Sequence, residues 1–313
     1  MERIAAFQMD PLSALNPRSD STLLLMHEAQ KRGYHIFHYL PSELCFENGA
    51  IHAYGHFVKL HDNEENFYTV IKAAHVDLRK VTVVWMRQDP PFDMAYITAT
   101  HILEALAPDT LVLNNPEFVR YCPEKWFVNQ FPEFLPPTLI STSLKAMEDF
   151  RARHKDIIIK PLYGFGGNAV FRIKEQDGNF HALLEWILST SNEALVVQKF
   201  LPEVKHGDIR VILIDGKVAG QIGRVPAAGE IRSNFRVGGS AAKLALTTRQ
   251  QLICEAMEDA LKSRGLLFVG IDLIGDYLTE INVTSPTGLR AINAAYDTTL
   301  EAEIWDAAEK RLA

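Results

Sequence analysis

Thr279-Glu-Ile-Asn-Val-Thr-Ser-Pro-Thr-Gly-Leu289, read with Phe268-Val-Gly-Ile-Asp-Leu-Ile-Gly275 just before it, decides the fold. Glu280 and Asn282 are two residues apart, so on a strand both side chains leave by the same face. One offers a carboxylate and the other a neutral carbonyl oxygen, the hard ligands that Mg²⁺ takes. Asp272 is the only charged residue of the preceding apolar run. Three oxygen-bearing side chains on two buried-looking strands point to a Mg²⁺-nucleotide site; the plainer alternative is an acidic hairpin face turned to water. The strands Leu267–Ile274 and Leu278–Val283 read as antiparallel about Gly275-Asp276. A loop of those two residues alone pairs Ile274 with Tyr277 and sets Asp272 across from Thr279, which turns Asp272 and Glu280 to opposite faces. A shared site therefore requires a three-residue loop, Gly275 to Tyr277, or an equivalent bulge that restores Asp272 opposite Glu280.

Upstream, Thr247 to Arg264 reads as one amphipathic helix stopped by Gly265. Before it, His206-Gly-Asp-Ile-Arg-Val-Ile-Leu-Ile-Asp-Gly-Lys217 places Asp208 and Arg210 on one strand face and turns at Asp215-Gly216. The return strand, Val218 to Val225, carries Arg224 and empties into Pro226 to Ser240, which holds Arg232 and Arg236 and has no helical or strand period. Uncommonly long loops in compact domains are often lids or binding loops. Further back, Asp156-Ile-Ile-Ile-Lys-Pro161 is a buried strand that ends on Lys160, a charge that asks for a partner such as phosphate. It runs into Leu162-Tyr-Gly-Phe-Gly-Gly-Asn168, whose glycines let backbone N–H groups wrap a phosphate, and then into a strand from Ala169 to Ile173. That turn is weak alone, and neither G-x-x-x-x-G-K-[ST] nor G-x-G-x-x-G occurs. Ser143 to His154 is an amphipathic helix. Asn192 to Pro202 is an apolar strand on which Gln198 and Phe200 share a face, fit for an adenine slot or for a plain core.

The first ~120 residues alternate strand and helix as an open α/β sheet does. Arg3 to Met9 is a strand ended by Asp10-Pro11, and Asp20-Ser21 can cap a helix running to about Arg32, with Gly33 as its stop. Tyr34 to Tyr39, Val81 to Arg87 and Thr110 to Asn114 are further strands. Asp10 and Arg87 sit where ligands of such sheets gather, although a helix cap and a surface ion pair explain them equally well. The chain has 313 residues, 47% hydrophobic and 23% charged, long enough for two or three packed units. A net charge of −7 without a Lys/Arg run leaves no footprint for nucleic acid. The N-terminus, Met1 to Asp10, is too acidic and too short in its apolar stretch for a signal peptide, and no apolar run approaches the ~20 residues of a membrane span. Cys45, Cys122 and Cys254 lack C-x-x-C spacing and read as reduced thiols of a cytoplasmic protein.

Met9-Asp-Pro11, Met86-Arg-Gln-Asp-Pro-Pro-Phe-Asp93, Ile159-Lys-Pro161, Gly164-Phe-Gly-Gly167, Gly207-Asp-Ile-Arg210, Arg224-Val-Pro226, Phe268-Val-Gly-Ile-Asp272 and Leu278-Thr-Glu-Ile-Asn-Val-Thr-Ser-Pro-Thr287 follow in order. Together they resemble bacterial glutathione synthetase, of the ATP-grasp superfamily, over nearly the whole chain. The resemblance implies an α/β (α+β) fold, an ATP-grasp fold preceded by an open parallel α/β N-terminal domain. It implies a substrate-binding domain at 1–122, a central lid subdomain at 123–198 and a catalytic subdomain at 199–313.

The implied reaction has ATP phosphorylate the carboxylate of γ-glutamylcysteine to an acyl phosphate, which the amine of glycine attacks to form glutathione. By the same resemblance Lys125 and Lys160 would contact the ATP phosphates under the turn of Gly164, Gly166 and Gly167. Gln198, Lys199, Phe200 and Leu201 would hold the adenine, with Asp208 also on the ATP side. Asp272, Glu280 and Asn282 would hold Mg²⁺, or Mn²⁺ in its place. Arg210 and Arg232 are the expected catalytic groups, since an arginine fork suits phosphate and carboxylate oxygens. Asp10, Arg87, Arg224, Asn234, Ser285 and Thr287 would meet the substrates, and Pro226 to Ser240 would close to keep water from the acyl phosphate. ATP, γ-glutamylcysteine and glycine are the expected partners, with no nucleic acid and no membrane, in a homo-oligomer that the resemblance makes a tetramer. Two residues depart from the pattern: Ser240 stands where relatives often carry a basic residue, and Phe165 is bulky for a glycine turn. D-alanine–D-alanine ligases share E-x-N but usually continue Thr-Leu-Pro-Gly, where this chain has Val283-Thr-Ser-Pro286. A non-catalytic ATP-binding protein on the same fold is disfavoured by Lys160, Arg210, Asp272, Glu280 and Asn282.

Overall fold

The computed structural model describes residues 3–164, 166–167, 169–227 and 239–312. Arg232, Asn234, Phe165 and most of the expected closing segment Pro226 to Ser240 lie outside the described residues. The first sheet is built from β1 (Ile4–Gln8), β2 (His35–Tyr39), β3 (Leu44–Glu47), β4 (Ala50–Leu60), β5 (Tyr68–Asp77), β6 (Val83–Met86) and β7 (Leu111–Leu113). β2, β1, β6 and β7 lie side by side and parallel, as the strand–helix alternation predicts. α1 (Ser21–Lys31) starts on the Asp20 carboxylate, which accepts from the Leu23 amide at 2.8 Å. α2 (Met94–Glu104) makes the crossover from β6 to β7, and α3 (Pro116–Tyr121) leads out of the sheet. The antiparallel extension β3-β4-β5 is absent from the sequence reading. β4 hides its alternation behind Gly55, where a Cβ would come within 2.3 Å of the His38 carbonyl oxygen, and β5 is largely exposed.

The second sheet, in the order β10-β9-β11-β8, is antiparallel. It comprises β8 (Thr138–Ser141), β9 (Ile157–Pro161), β10 (Phe171–Ile173) and β11 (Leu195–Lys199), with α4 (Leu144–His154) and α5 (Phe180–Thr190). Ser143 caps α4 as its position before the apolar period requires. The third sheet, β14-β13-β12-β15-β16, is also antiparallel. Its strands are β12 (Asp208–Ile214), β13 (Lys217–Val225), β14 (Ser240–Ala242), β15 (Phe268–Ile274) and β16 (Tyr277–Asn282). Ser240, read as loop, opens β14 and pairs with Val225. The expected helix Thr247 to Arg264 is two helices, α6 (Thr248–Ala256) and α7 (Glu258–Ser263), divided at buried Met257, whose amide bonds the Cys254 carbonyl in a tighter turn. α8 (Leu289–Tyr296) and α9 (Leu300–Lys310) end the chain.

Three apolar cores hold these sheets. One joins Ala6, Phe37 and Val84 of the first sheet to Val211, Leu273 and Leu278 of the third. Another joins Phe7, Leu25 and Trp85 to Ile212, Phe268 and Trp305. The first and third sheets therefore share their interiors, and α9 returns to α1, where Trp305 Nε1 donates to the Leu25 carbonyl at 2.8 Å. The third core, with Met147, Phe150, Ile159, Phe180 and Val197, is confined to the second sheet and its helices.

Candidate active site

The hairpin of β15 and β16 resolves the parity question by a bulge. Ile274 pairs with Tyr277 across Gly275-Asp276, the two-residue turn that alone would separate the acids. One extra residue on β16, Thr279, then interrupts the ladder, so that Leu278 faces Leu273 and Glu280 faces Asp272. The Thr279 hydroxyl donates to the Asp272 carbonyl at 2.9 Å and holds the bulge. Asp272, Glu280 and Asn282 line one cleft, and the buried Asn282 Nδ2 has no hydrogen-bond partner among the described residues.

Among the described residues, four cations meet four carboxylates here. Arg210 holds Asp272 with both arms of its fork, Nε to Oδ1 at 2.6 Å and Nη2 to Oδ2 at 2.8 Å, and gives Nη1 to the Thr287 carbonyl at 3.1 Å. Arg224 pairs with Asp208 at 2.6 and 2.8 Å and reaches Asp272 at 3.0 Å. Lys160 sits 3.3 Å from Glu280, and Lys125 sits 3.8 Å from it while donating to the carboxylate of Glu124 and the carbonyl of Gly164. Burial pushes the Asp272 carboxyl up, but Arg210 and Arg224 outweigh it and hold it well below the usual carboxylate range. Glu280 is likewise lowered, Lys125 and Lys160 overcoming its desolvation. Burial and the neighbouring Glu280 raise Glu124, and burial raises Asp208 despite Arg224. Lys160 is lowered by desolvation; Lys125, buried too, is raised by Glu280 and Glu124.

Among the described residues no three His, Cys, Asp or Glu side chains are grouped to hold a metal by themselves. The donors available are two ionised carboxylates and an amide, a set that suits Mg²⁺ when phosphate oxygens complete the shell. The charge balance points the same way, because among the described residues four acids face four bases, and a polyphosphate entering that cluster brings further negative charge.

Most of the residues expected from sequence converge on this cleft. Gly166 and Gly167, with φ of 64° and 77°, form the turn between β9 and β10 and face it. Gln198, Lys199, Phe200 and Leu201 line its far wall beside Ile158, Val170 and Val204. Gln198 Nε2 donates to the Thr138 hydroxyl at 3.0 Å, and the Arg172 guanidinium lies 3.7 Å from the Phe200 ring centroid. Ser285 and Thr287 also face the cleft. Asp10 and Arg87 do not form its wall. Buried Arg87 donates to the Thr22 hydroxyl at 3.0 Å and the Pro286 carbonyl at 2.8 Å, and leaves Nη1 without a hydrogen bond among the described residues. The Asp10 carboxylate accepts from the Asp89 amide at 3.2 Å, and Asp89 does reach the cleft. Sequence reasoning missed Glu124, whose signal was a second charge beside Lys125, and Asn114. Asn114 bonds the Phe268 amide and carbonyl at 2.9 and 2.7 Å and the Val283 carbonyl at 2.8 Å, tying the end of β7 to the open end of the acidic hairpin.

Residues 4–120 match the family model of the prokaryotic glutathione synthetase N-terminal domain, and residues 124–297 match that of the prokaryotic glutathione synthetase ATP-grasp domain. A glutathione synthetase of Rhodopseudomonas palustris is 49% identical over 308 residues, covering 98% of each chain. That of Bradyrhizobium diazoefficiens is 47% identical over 313 residues, covering 100% of each, and that of Vibrio vulnificus 40% identical over 306 residues, covering 97% of this chain and 96% of its own. Among solved structures, a D-cycloserine synthetase superposes with a TM-score of 0.70 at 15% identity, covering 99% of this chain and 100% of its own. The D-alanyl-alanine synthetase A of Vibrio cholerae superposes with a TM-score of 0.63 at 12% identity, covering 100% of this chain and 99% of its own. At such identities these two likenesses speak for the fold alone.

Proposed function

The chain belongs to the prokaryotic glutathione synthetase family, and on that premise we propose how its residues divide the work. It is an ATP-grasp ligase that joins γ-glutamylcysteine to glycine at the expense of ATP. The observation that carries the site assignment is the meeting of Lys125, Lys160, Glu280 and the Arg210–Asp272–Arg224 cluster at one cleft bordered by strands of the second and third sheets and by the segment after β6. Lys125 and Lys160 draw the β- and γ-phosphates toward the glycine turn, whose positive φ angles turn backbone N–H groups to the anion. The apolar strip of Ile158, Val170, Phe200 and Leu201 takes the adenine. Asp272, Glu280 and Asn282 would hold Mg²⁺, which supplies charge neutralisation to the transferring phosphoryl group. The Arg210 and Arg224 forks, beside those donors, would engage the substrate carboxylate and the acyl phosphate made from it. The carboxylate oxygen attacks the γ-phosphorus and ADP leaves. Deprotonated glycine nitrogen then attacks the acyl carbon, the C–N bond forms, and the C–O bond to phosphate breaks. Asp10 and Arg87 bring opposite charges to the dipeptide end of the site through the segment at Asp89. The proposal also takes the divisions 1–122, 123–198 and 199–313, a homotetramer and a place in the cytoplasm.

The acyl phosphate leaves an isotopic mark. γ-Glutamylcysteine labelled with ¹⁸O in its reacting carboxylate should pass one labelled oxygen to the released phosphate, read by mass spectrometry. Unlabelled phosphate alongside glutathione would sink the acyl-phosphate route.

A further inference from the structure

Three aromatic rings run from the glycine turn into the first sheet's core. Tyr163, next to Gly164, stacks on Phe92 with ring centroids 5.9 Å apart and planes 18° apart. Phe92 packs on Tyr96 of α2 at 5.1 Å and 35°. The outer end is fixed to the central unit, where the Tyr163 amide donates to the carboxylate of Glu193 and the Gly164 carbonyl accepts from Lys125. The inner end is polar. Tyr96 is fully buried, its hydroxyl has no hydrogen-bond partner among the described residues, and the charges of Arg87, Asp89 and Asp10 act on it. Phe92 belongs to the short segment after β6 whose Asp89 and Pro90 face the cleft.

The central sheet has its own core, and the stack of Tyr163 on Phe92 joins the turn after β9 to the segment after β6. Tyr163 is itself 42% exposed, so the contact is not a fold requirement. We infer that the Tyr163–Phe92–Tyr96 ladder is a positioning device that couples the nucleotide turn to the dipeptide end of the site, so that occupancy of either favours binding at the other. The inference rests on the assignment of the dipeptide to the Asp10–Arg87 end. A substrate that satisfies the Tyr96 hydroxyl and Arg87 Nη1, neither hydrogen-bonded among the described residues, orders the inner ring. Through Phe92 that order reaches the residue at the root of the phosphate turn, so part of the ordering cost is met before nucleotide arrives.

Calorimetric titration of the whole protein with adenylyl imidodiphosphate and Mg²⁺, with and without γ-glutamylcysteine, tests this. Wild type should bind the nucleotide about threefold to tenfold more tightly when the dipeptide is present, a range that one aromatic contact supports. Y163A should lose this synergy while its affinity for each ligand alone stays within about twofold, and Y163F, which keeps the ring, should retain it. A Y163A protein with undiminished synergy, or wild type that binds the dipeptide without any, overturns the coupling. Wild type that does not bind the dipeptide at all overturns the functional assignment beneath it, a result the dipeptide titration alone distinguishes.

Discussion

Charges carried on buried strands account for most of the site at the residue scale. Lys160 and Asp272 were legible because each is a charge in an apolar run, where burial of an ionised group requires a partner, and Glu280 because it alternates with Asn282 on one strand face. What sequence could not give was the identity of those partners: Arg210 and Arg224 hold Asp272, and Lys160 meets Glu280, across separations no local pattern spans. E280Q and N282A should each lower kcat by on the order of 10²-fold or more while the protein melts within a few degrees of wild type, since Glu280 is partly exposed. Normal turnover of both at saturating Mg²⁺ would remove these residues from the site. D272N acts on stability as well, because it leaves two buried guanidinium groups facing an amide, at a cost of about 3 kcal/mol. Asp272 has a folded pKa below its unfolded value, so its stabilisation is present above about pH 4 and is lost as pH falls through the folded value. Melting temperatures measured from pH 3 to 7 should therefore fall less steeply on the acid side in D272N than in wild type. Lys160 gives the opposite limb. Desolvation lowers its pKa, so the charge needed by the phosphates is lost as pH rises, beginning below the ordinary lysine value of about 10.4. In K160R, which keeps its charge there, the alkaline decline in activity should move upward; an unchanged decline would assign it to another group.

At the scale of elements, the acidic hairpin shows what strand parity can and cannot decide. Alternation alone excluded a regular two-residue hairpin for a shared site, and the turn proved to have two residues with the correction made by Thr279. The place of the bulge was not readable, because both candidate positions preserve the same faces at Asp272 and Glu280. The antiparallel extension β3-β4-β5 escaped notice for a different reason: Gly55 breaks the alternation of β4, and β5 has too few buried positions to show a period. Asn114 is the support the hairpin depends on, with three hydrogen bonds to residues more than a hundred positions away. N114A should cost about 3 kcal/mol, near 1 kcal/mol for each buried bond, and should lower activity by loosening β15. Urea unfolding that gives less than about 1 kcal/mol would show that water replaces the side chain without loss.

The whole molecule is two sheets with shared interiors and a third with its own. This division was only partly visible in sequence, since contacts such as Trp305 with Leu25 and Trp85 join the two ends of the chain. W305A should destabilise the first and third sheets together by about 3–5 kcal/mol, and hydrogen exchange should show protection lost in both while the central sheet keeps its own. A loss confined to α9 would contradict the shared core. The central claim is that this one cleft couples ATP cleavage to peptide-bond formation. Its most direct test is to incubate the protein with ATP, Mg²⁺, γ-glutamylcysteine and glycine and to count glutathione and phosphate together, beside E280Q. The expected result is one glutathione for each phosphate in wild type and almost none of either in E280Q. Phosphate released without glutathione, or undiminished product from E280Q, would contradict it.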